Sequence, residues 1–245
     1  MPRTGAKQST PSLPRRIADL PWPALEAHLS AEGWATTPPL LSPEECATAS
    51  AWYADEDRFR KRIDMGRHHY GEGEYGYFRY PLPPLVQTLR EGLYANLAPL
   101  AERWQQALGR AGGYPPRLAD WLAQCHAAGQ QRPTPLLLEY AAGGYNCLHQ
   151  DRYGALAFPL QAAILLSRPG RDFAGGEFLL VETHPRRQSV GHVVPLTQGQ
   201  MVLFPNGERP VPGKRGMLRV AVRHGVSRIT RGRRHTLGLN FHDAA

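Results

Sequence analysis

His149-Gln150-Asp151 places an imidazole and a carboxylate two residues apart. In extended chain, side chains two apart project to the same side, so both groups can face one point. One further histidine would complete a two-histidine, one-carboxylate set. Such a set holds ferrous iron on one face and leaves the other coordination positions open. The histidines available downstream are His184, His192, His224, His235 and His242. Spacing alone does not choose among them, and a single H-x-D pair reads equally well as a surface hydrogen bond.

The elements that must carry these groups fall into two regions. From Thr134 onward, short β-type runs alternate with Gly/Pro turns, at 136–140, 147–150, 160–166, 177–181, 201–204, 218–222, 225–229 and 236–241. About eight short strands of this kind predict a sandwich or jelly-roll barrel. Residues 18–130 read as mainly helical. Ser42-Pro43-Glu44-Glu45 is a helix start, with a capping hydroxyl, an early proline and acids at the positive end of the dipole. Residues 85–108 carry Leu89, Leu93, Leu97, Leu100 and Trp104 at helical spacing, with an interruption expected at Pro99. A short helix is expected over 118–127. The segment 64–84, rich in Gly, Tyr, His and Arg, has no helical period and reads as a hairpin or ordered loop.

The run from His224 to Arg234 resembles the distal motif of iron(II)- and 2-oxoglutarate-dependent oxygenases of the prolyl-hydroxylase type. There a His is followed by Val two on, Gly eight on and Arg ten on; here these are Val226, Gly232 and Arg234. The residues ten after His184, His192 and His235 are Val194, Val202 and Ala245, and His242 is too near the end. Leu148-His149-Gln150-Asp151 is similar to the same region of AlkB-like demethylases. A tyrosine nine residues before their His, here Tyr140, contacts 2-oxoglutarate, and the asparagine two positions before that tyrosine is Leu138 here. Phe173-Ala174-Gly175-Gly176-Glu177 resembles the F-x-G-G-E turn of prolyl-hydroxylase domains. The strand from Gly199 to Phe204 resembles their G-D-x-x-x-F strand, with Gln200 in place of Asp. The resemblance spans residues 134–245. The stretch from Tyr70 to the C-terminal Phe241-His242-Asp243-Ala244 also resembles a bacterial oxygenase family assigned to oxidative demethylation of damaged nucleic acid.

The resemblance implies an α+β protein, a double-stranded β-helix (jelly roll) core over residues 131–245 with an N-terminal helical extension packed on one sheet. It implies Fe(II) held by the catalytic residues His149, Asp151 and His224. The cosubstrate 2-oxoglutarate would be anchored by Arg234, the guanidinium giving two parallel bonds to the far carboxylate, with Tyr140 as a hydroxyl donor. Dioxygen would be consumed, a C–H bond hydroxylated and 2-oxoglutarate converted to succinate. Ascorbate stays open as the reductant that keeps the iron ferrous.

Composition bounds the partners. The chain has 245 residues, 42% of them hydrophobic, and a net charge of +8. The charge fits a polyanion such as nucleic acid, and equally an Arg-rich composition. No apolar run is long enough to span a membrane. Residues 1–17 read as a disordered basic tail without an apolar leader. The three cysteines, Cys46, Cys125 and Cys147, are too few and scattered for a disulfide framework, which points to a reducing, cytoplasmic setting. Oligomeric state is not readable. The substrates in view are alkylated nucleic acid, a peptidyl (prolyl) residue or a small molecule, and a non-catalytic jelly-roll module is the reading from outside the enzymes. Within the aromatic and basic segment, Arg67, His68, His69, Tyr70, Tyr75, Tyr77, Phe78, Arg79 and Tyr80 suit a substrate lid or a plain edge hairpin. Cys147 alternates with His149 and reads either as a residue near the metal or, preferentially, as a small buried filler. His235 and His242 are expected as structural histidines, and Arg231 and Arg233 as contacts to a polyanion or, preferentially, as solvated strand ends. Asn146 and Gln161 are weighed as lining of the cosubstrate pocket.

Overall fold

The β-type runs pair into two antiparallel sheets that face each other. The computed structural model describes residues 11–151 and 153–245. In chain order the strands are β1 (Ala35–Thr36), β2 (Phe59–Asp64), β3 (Gly71–Glu72), β4 (Glu74–Phe78), β5 (Leu136–Ala141), β6 (Tyr145–His149) and β7 (Leu160–Leu165). They continue with β8 (Phe173–Gly175), β9 (Phe178–Thr183), β10 (Val190–Val194), β11 (Met201–Pro205), β12 (Glu208–Gly213), β13 (Gly216–Val226) and β14 (Ile229–Asn240). The helices are α1 (Leu13–Ala18), α2 (Trp22–Glu32), α3 (Pro43–Ala51), α4 (Pro84–Ala107) and α5 (Leu118–Ala127).

The larger sheet runs β1-β11-β7-β14-β5-β4-β2, with β8 also on β14. The smaller runs β10-β9-β13-β6-β3, with β12 also on β13. This is the double-stranded β-helix with helices on one side. Side-chain alternation makes the layers. On the larger sheet Leu137, Ile164, Leu203 and Leu239 face the helices and join Leu89, Leu93 and Trp104 in the main core. Their sequence neighbours Ala163, Val202 and Phe204 face the other way and meet Phe178, Leu180 and Val222 of the smaller sheet. β7 is therefore buried along its whole length, while β9 alternates.

Local signals explain several elements. Ser42 caps α3 in a complete capping box, its side chain accepting from the Glu45 N–H while Glu45 reaches back. α4 does not break at Pro99. The proline removes one backbone bond, but ten buried residues along the helix hold it against the sheet, and that burial outweighs the local loss. Arg90 of α4, fully buried, ties the helix to the end of β14. It pairs with Asp243 at 2.7 Å, and its Nε donates to the Asn240 carbonyl at 2.9 Å.

Other expectations need correction. The basic tail is shorter than 1–17, because Leu13–Ala18 is helix; residues 1–10 lie outside the described residues. The expected strand 225–229 straddles the turn between β13 and β14, and the run 218–222 is only the middle of β13. β12, which carries Pro210 and Pro212, lies outside the runs expected from the sequence. It pairs with β13 alone, and an edge tolerates proline. The segment 64–84 supplies only one arm of a hairpin: its β4 pairs with β2, which lies almost wholly before it, and β4 adds to β5 in the larger sheet. No helix among the described residues is long and apolar enough to cross a membrane.

Candidate metal centre

His149 ends β6 and His224 lies directly opposite it on β13. Their ring centroids are 4.2 Å apart. Asp151 follows β6 by two residues and points back to the same spot. Its Oδ1 is 3.5 Å from His149 Nε2 and its Oδ2 is 3.7 Å from His224 Nε2. One ligand atom from each of the three lies within 4.8 Å of the others, a spacing that a single divalent ion can bridge. None of the other candidate histidines joins this cluster.

The surroundings prepare these groups. His149 Nδ1 is 2.7 Å from the Cys147 carbonyl. That contact puts the ring proton on Nδ1 and leaves Nε2 free as a ligand. His224 is buried against Phe178 and Phe204. Burial first, and then the neighbouring His149, hold its pKa well below the ordinary histidine value, so the ring stays neutral as metal binding requires. The Tyr153 hydroxyl donates to Asp151 Oδ1 at 2.9 Å. Gln150 turns the other way and donates to the Gly207 and Val222 carbonyls, which anchors the chain between the two ligands it supplies.

The larger sheet supplies the other half. Arg234 on β14 is opposite Tyr140 on β5. Arg234 is 1% exposed. Its Nη1 donates to the Thr236 hydroxyl, its Nε has no hydrogen-bond partner, and no acid pairs with it among the described residues. Burial lowers its pKa to about 10, which leaves it charged at neutral pH. Tyr140 is also fully buried, and desolvation raises its hydroxyl to about 12. Asn146 donates to that hydroxyl at 3.2 Å, so the tyrosine proton is free to point elsewhere. The glycines of the two quoted motifs shape this corner. A Cβ on Gly176, whose φ is +68°, would stand 3.0 Å from Arg234 Cδ and closer still to Ile229. A Cβ on Gly232, at φ +81°, would strike the Asp172 carbonyl.

Triad, Arg234 and Tyr140 line one cavity of about 510 Å³ between the sheets, together with Asn146 and Thr236. Tyr70, Tyr75, Tyr77 and Tyr153 line it as well. Of the lid candidates, His69 and the first three of these tyrosines thus reach the cavity, whereas Arg67 pairs with Asp64 in solvent. Gln161 stays outside the lining and approaches Asn206 instead. Cys147 lines the cavity but is exposed, not a buried filler; β6 is covered on neither side at that position. Glu139 binds His235 and Arg233, both at 2.8 Å. His242 is fully buried and accepts from the Phe158 N–H. Sequence reasoning missed Tyr153, although it continues the two-residue spacing of His149 and Asp151.

Residues 73–244 match the family described as "Oxygenase, catalysing oxidative methylation of damaged DNA". The chain belongs to that family. A protein of Mycobacterium tuberculosis (strain ATCC 25618 / H37Rv), "Uncharacterized protein Rv2227", is 50% identical over 168 residues, which is 69% of this chain and 72% of that protein. Among solved structures the fold is similar to a Pseudomonas putida prolyl-4-hydroxylase, at a TM-score of 0.50 and 16% identity, covering 89% of this chain and 96% of that one. It is also similar to a 2OG-Fe(II) oxygenase-family oxidoreductase from Burkholderia pseudomallei, at 0.51 and 16%, covering 91% and 92%. The family makes this protein an oxygenase, and its donor set of His149, Asp151 and His224 fits a divalent metal ion on a fold shared with 2OG-Fe(II) oxygenases.

Proposed function

We propose that the protein oxidises an alkyl group carried by a nucleic-acid base, with His149, Asp151 and His224 holding the iron and Arg234 and Tyr140 receiving 2-oxoglutarate. The observation that carries the cofactor assignment is Arg234. A buried guanidinium without an acid is costly, and it lines the same cavity as two imidazoles and a carboxylate that converge on one point. A dicarboxylate bound to a metal at the triad and to Arg234 would satisfy both ends at once. The residues present therefore fit the group.

Iron with 2-oxoglutarate and dioxygen supplies the oxidising power that turns C–H into C–OH, 2-oxoglutarate leaving as succinate and carbon dioxide. The chain supplies the geometry. His149 and His224 present their Nε2 atoms, that of His224 on a ring kept neutral by burial. Asp151 contributes the negative charge, and Tyr153 holds one of its oxygens. Arg234 would pair with the far carboxylate, and the Tyr140 hydroxyl, already accepting from Asn146, would donate its proton toward the same group. Leu138, Phe178 and Phe204 keep water from the cavity wall.

A hydroxylated N-methyl group collapses to formaldehyde and the free N–H, so hydroxylation at that position removes the methyl. The nucleic-acid substrate is supported by the net charge of +8 and by the family description. The test is succinate formation with Fe(II) over a panel of methylated and unmethylated oligonucleotides, prolyl peptides and small amines. The expected result is succinate and formaldehyde in equal amounts with a methylated oligonucleotide alone. Coupled turnover on the peptides instead would overturn the substrate class and leave the cofactor assignment standing.

A further inference from the structure

Beside the metal cavity lies a shallow groove of about 240 Å³ that shares Tyr70, Tyr75, Tyr77 and Tyr153 with it. Its other wall is basic: Arg60 and Lys61 come from β2, and Arg132 comes from the segment before β5. These cations differ from their neighbours. Arg62 and Arg67 are neutralised by Glu74 and Asp64. Arg60 has no acid: its Nε donates to the Pro133 carbonyl at 2.9 Å, and its guanidinium lies over the Tyr77 ring, 4.5 Å from the centroid. Lys61 and Arg132 are exposed and form no ion pair among the described residues. At the outer end Tyr70, 51% exposed, stacks on His68 with centroids 5.4 Å apart and planes within 20°. An exposed stacked pair next to three unpaired cations, opening through a tyrosine wall onto the metal cavity, has the two chemistries that bind a single strand. Cations follow the phosphates, and flat rings take unstacked bases.

Resting on the nucleic-acid reading above, we infer that this groove seats a single-stranded nucleic acid, with Lys61, Arg60 and Arg132 on its phosphates and Tyr70 with His68 under a flanking base. The base to be oxidised leaves the stack and enters the cavity past Tyr75 and Tyr77. A duplex cannot present a base to that depth without extruding it, so single strands are the preferred form.

The test is fluorescence anisotropy of a fluorescein-labelled, unmodified oligothymidylate with the full-length protein across a salt series. Wild type should bind with an affinity that falls as salt rises. Lys61→Glu with Arg132→Glu should weaken binding by tenfold or more and flatten the logarithmic salt slope by about two. Tyr70→Ala should weaken it by about fivefold or more with the slope unchanged. The matched reversal Lys214→Glu with Arg215→Glu, in the β12–β13 turn at the far end of β13 from His224, should leave binding within about twofold. All these side chains are exposed, so folding is not at stake. Equal losses from the two double reversals would overturn the groove while leaving nucleic acid as the partner. A wild type without salt-dependent binding would overturn the nucleic-acid reading itself, and the groove with it.

Discussion

His149 and His224 face each other across the β6–β13 ladder with ring centroids 4.2 Å apart, and Asp151 closes the third side. Strand register therefore sets the spacing of the two nitrogens, and a bulge falls just beyond His224. His149→Ala should abolish iron-dependent succinate formation and lower bound iron to background. The far-UV circular dichroism and the unfolding midpoint should stay near wild type, because His149 sits at a strand end and is a third exposed. Turnover retained at a comparable rate would remove His149 from the ligand set.

Arg234 is a buried cation with no acid partner among the described residues, which makes its substitution informative in two directions. Arg234→Lys keeps the charge and loses the fork. Hydrogen bonds to charged groups contribute about 1.5–3 kcal/mol each, so the KM for 2-oxoglutarate should rise by roughly 10- to 100-fold. The kcat at saturation should change far less. Millimolar 2-oxoglutarate with a redox-inert divalent ion should raise the melting temperature of wild type, and this shift should vanish in Arg234→Met. A variant with unaltered KM would show that the far carboxylate is held elsewhere.

Tyr153 touches Asp151 and nothing of the cosubstrate corner, so it acts as a positioning residue. Tyr153→Phe keeps the ring against Tyr77 and removes the hydroxyl that donates to Asp151. Loss of such outer partners typically costs 10- to 100-fold in metal affinity, and iron titration of the chelator-treated protein should show a loss of that size. An unchanged iron affinity would mean that Asp151 is oriented by the backbone alone.

The site was legible where chemistry ties a residue type to a fixed spacing. His149 and Asp151 share a face because two residues of extended chain put them there. Gly176 and Gly232 are glycines because, at positive φ, a Cβ would strike Ile229 or the Asp172 carbonyl. Elements governed by distant contacts were not legible. Pro99 reads as a helix break, yet α4 continues because Leu93, Leu97 and Trp104 are buried on the sheet. β12 falls outside the expected runs; it carries Pro210 and Pro212, and an edge position needs no N–H from them. Cys147 alternates with His149 like a core residue, but nothing packs over that side of β6. Tyr153 belongs with these, since its role depends on a carboxylate whose orientation the sequence does not state.

His242 offers a test of how acid reaches the fold. It is fully buried, and its Nδ1 accepts from the Phe158 N–H. Burial chiefly, and then the Arg90 charge, push its pKa down to about 4 from an ordinary 6.5. The folded-state value is the lower one, so the unfolded chain takes up this proton first as pH falls. The contribution is complete above about pH 6.5, declines between 6.5 and 4, and is constant below 4. At full extent it is about 3 kcal/mol. His242→Gln keeps an acceptor in place but does not titrate there. Urea unfolding at pH 7.5 and at pH 5 should therefore show a larger drop in stability for wild type than for the variant. Parallel drops in the two proteins would place the acid sensitivity at other groups, with His224 the first to examine.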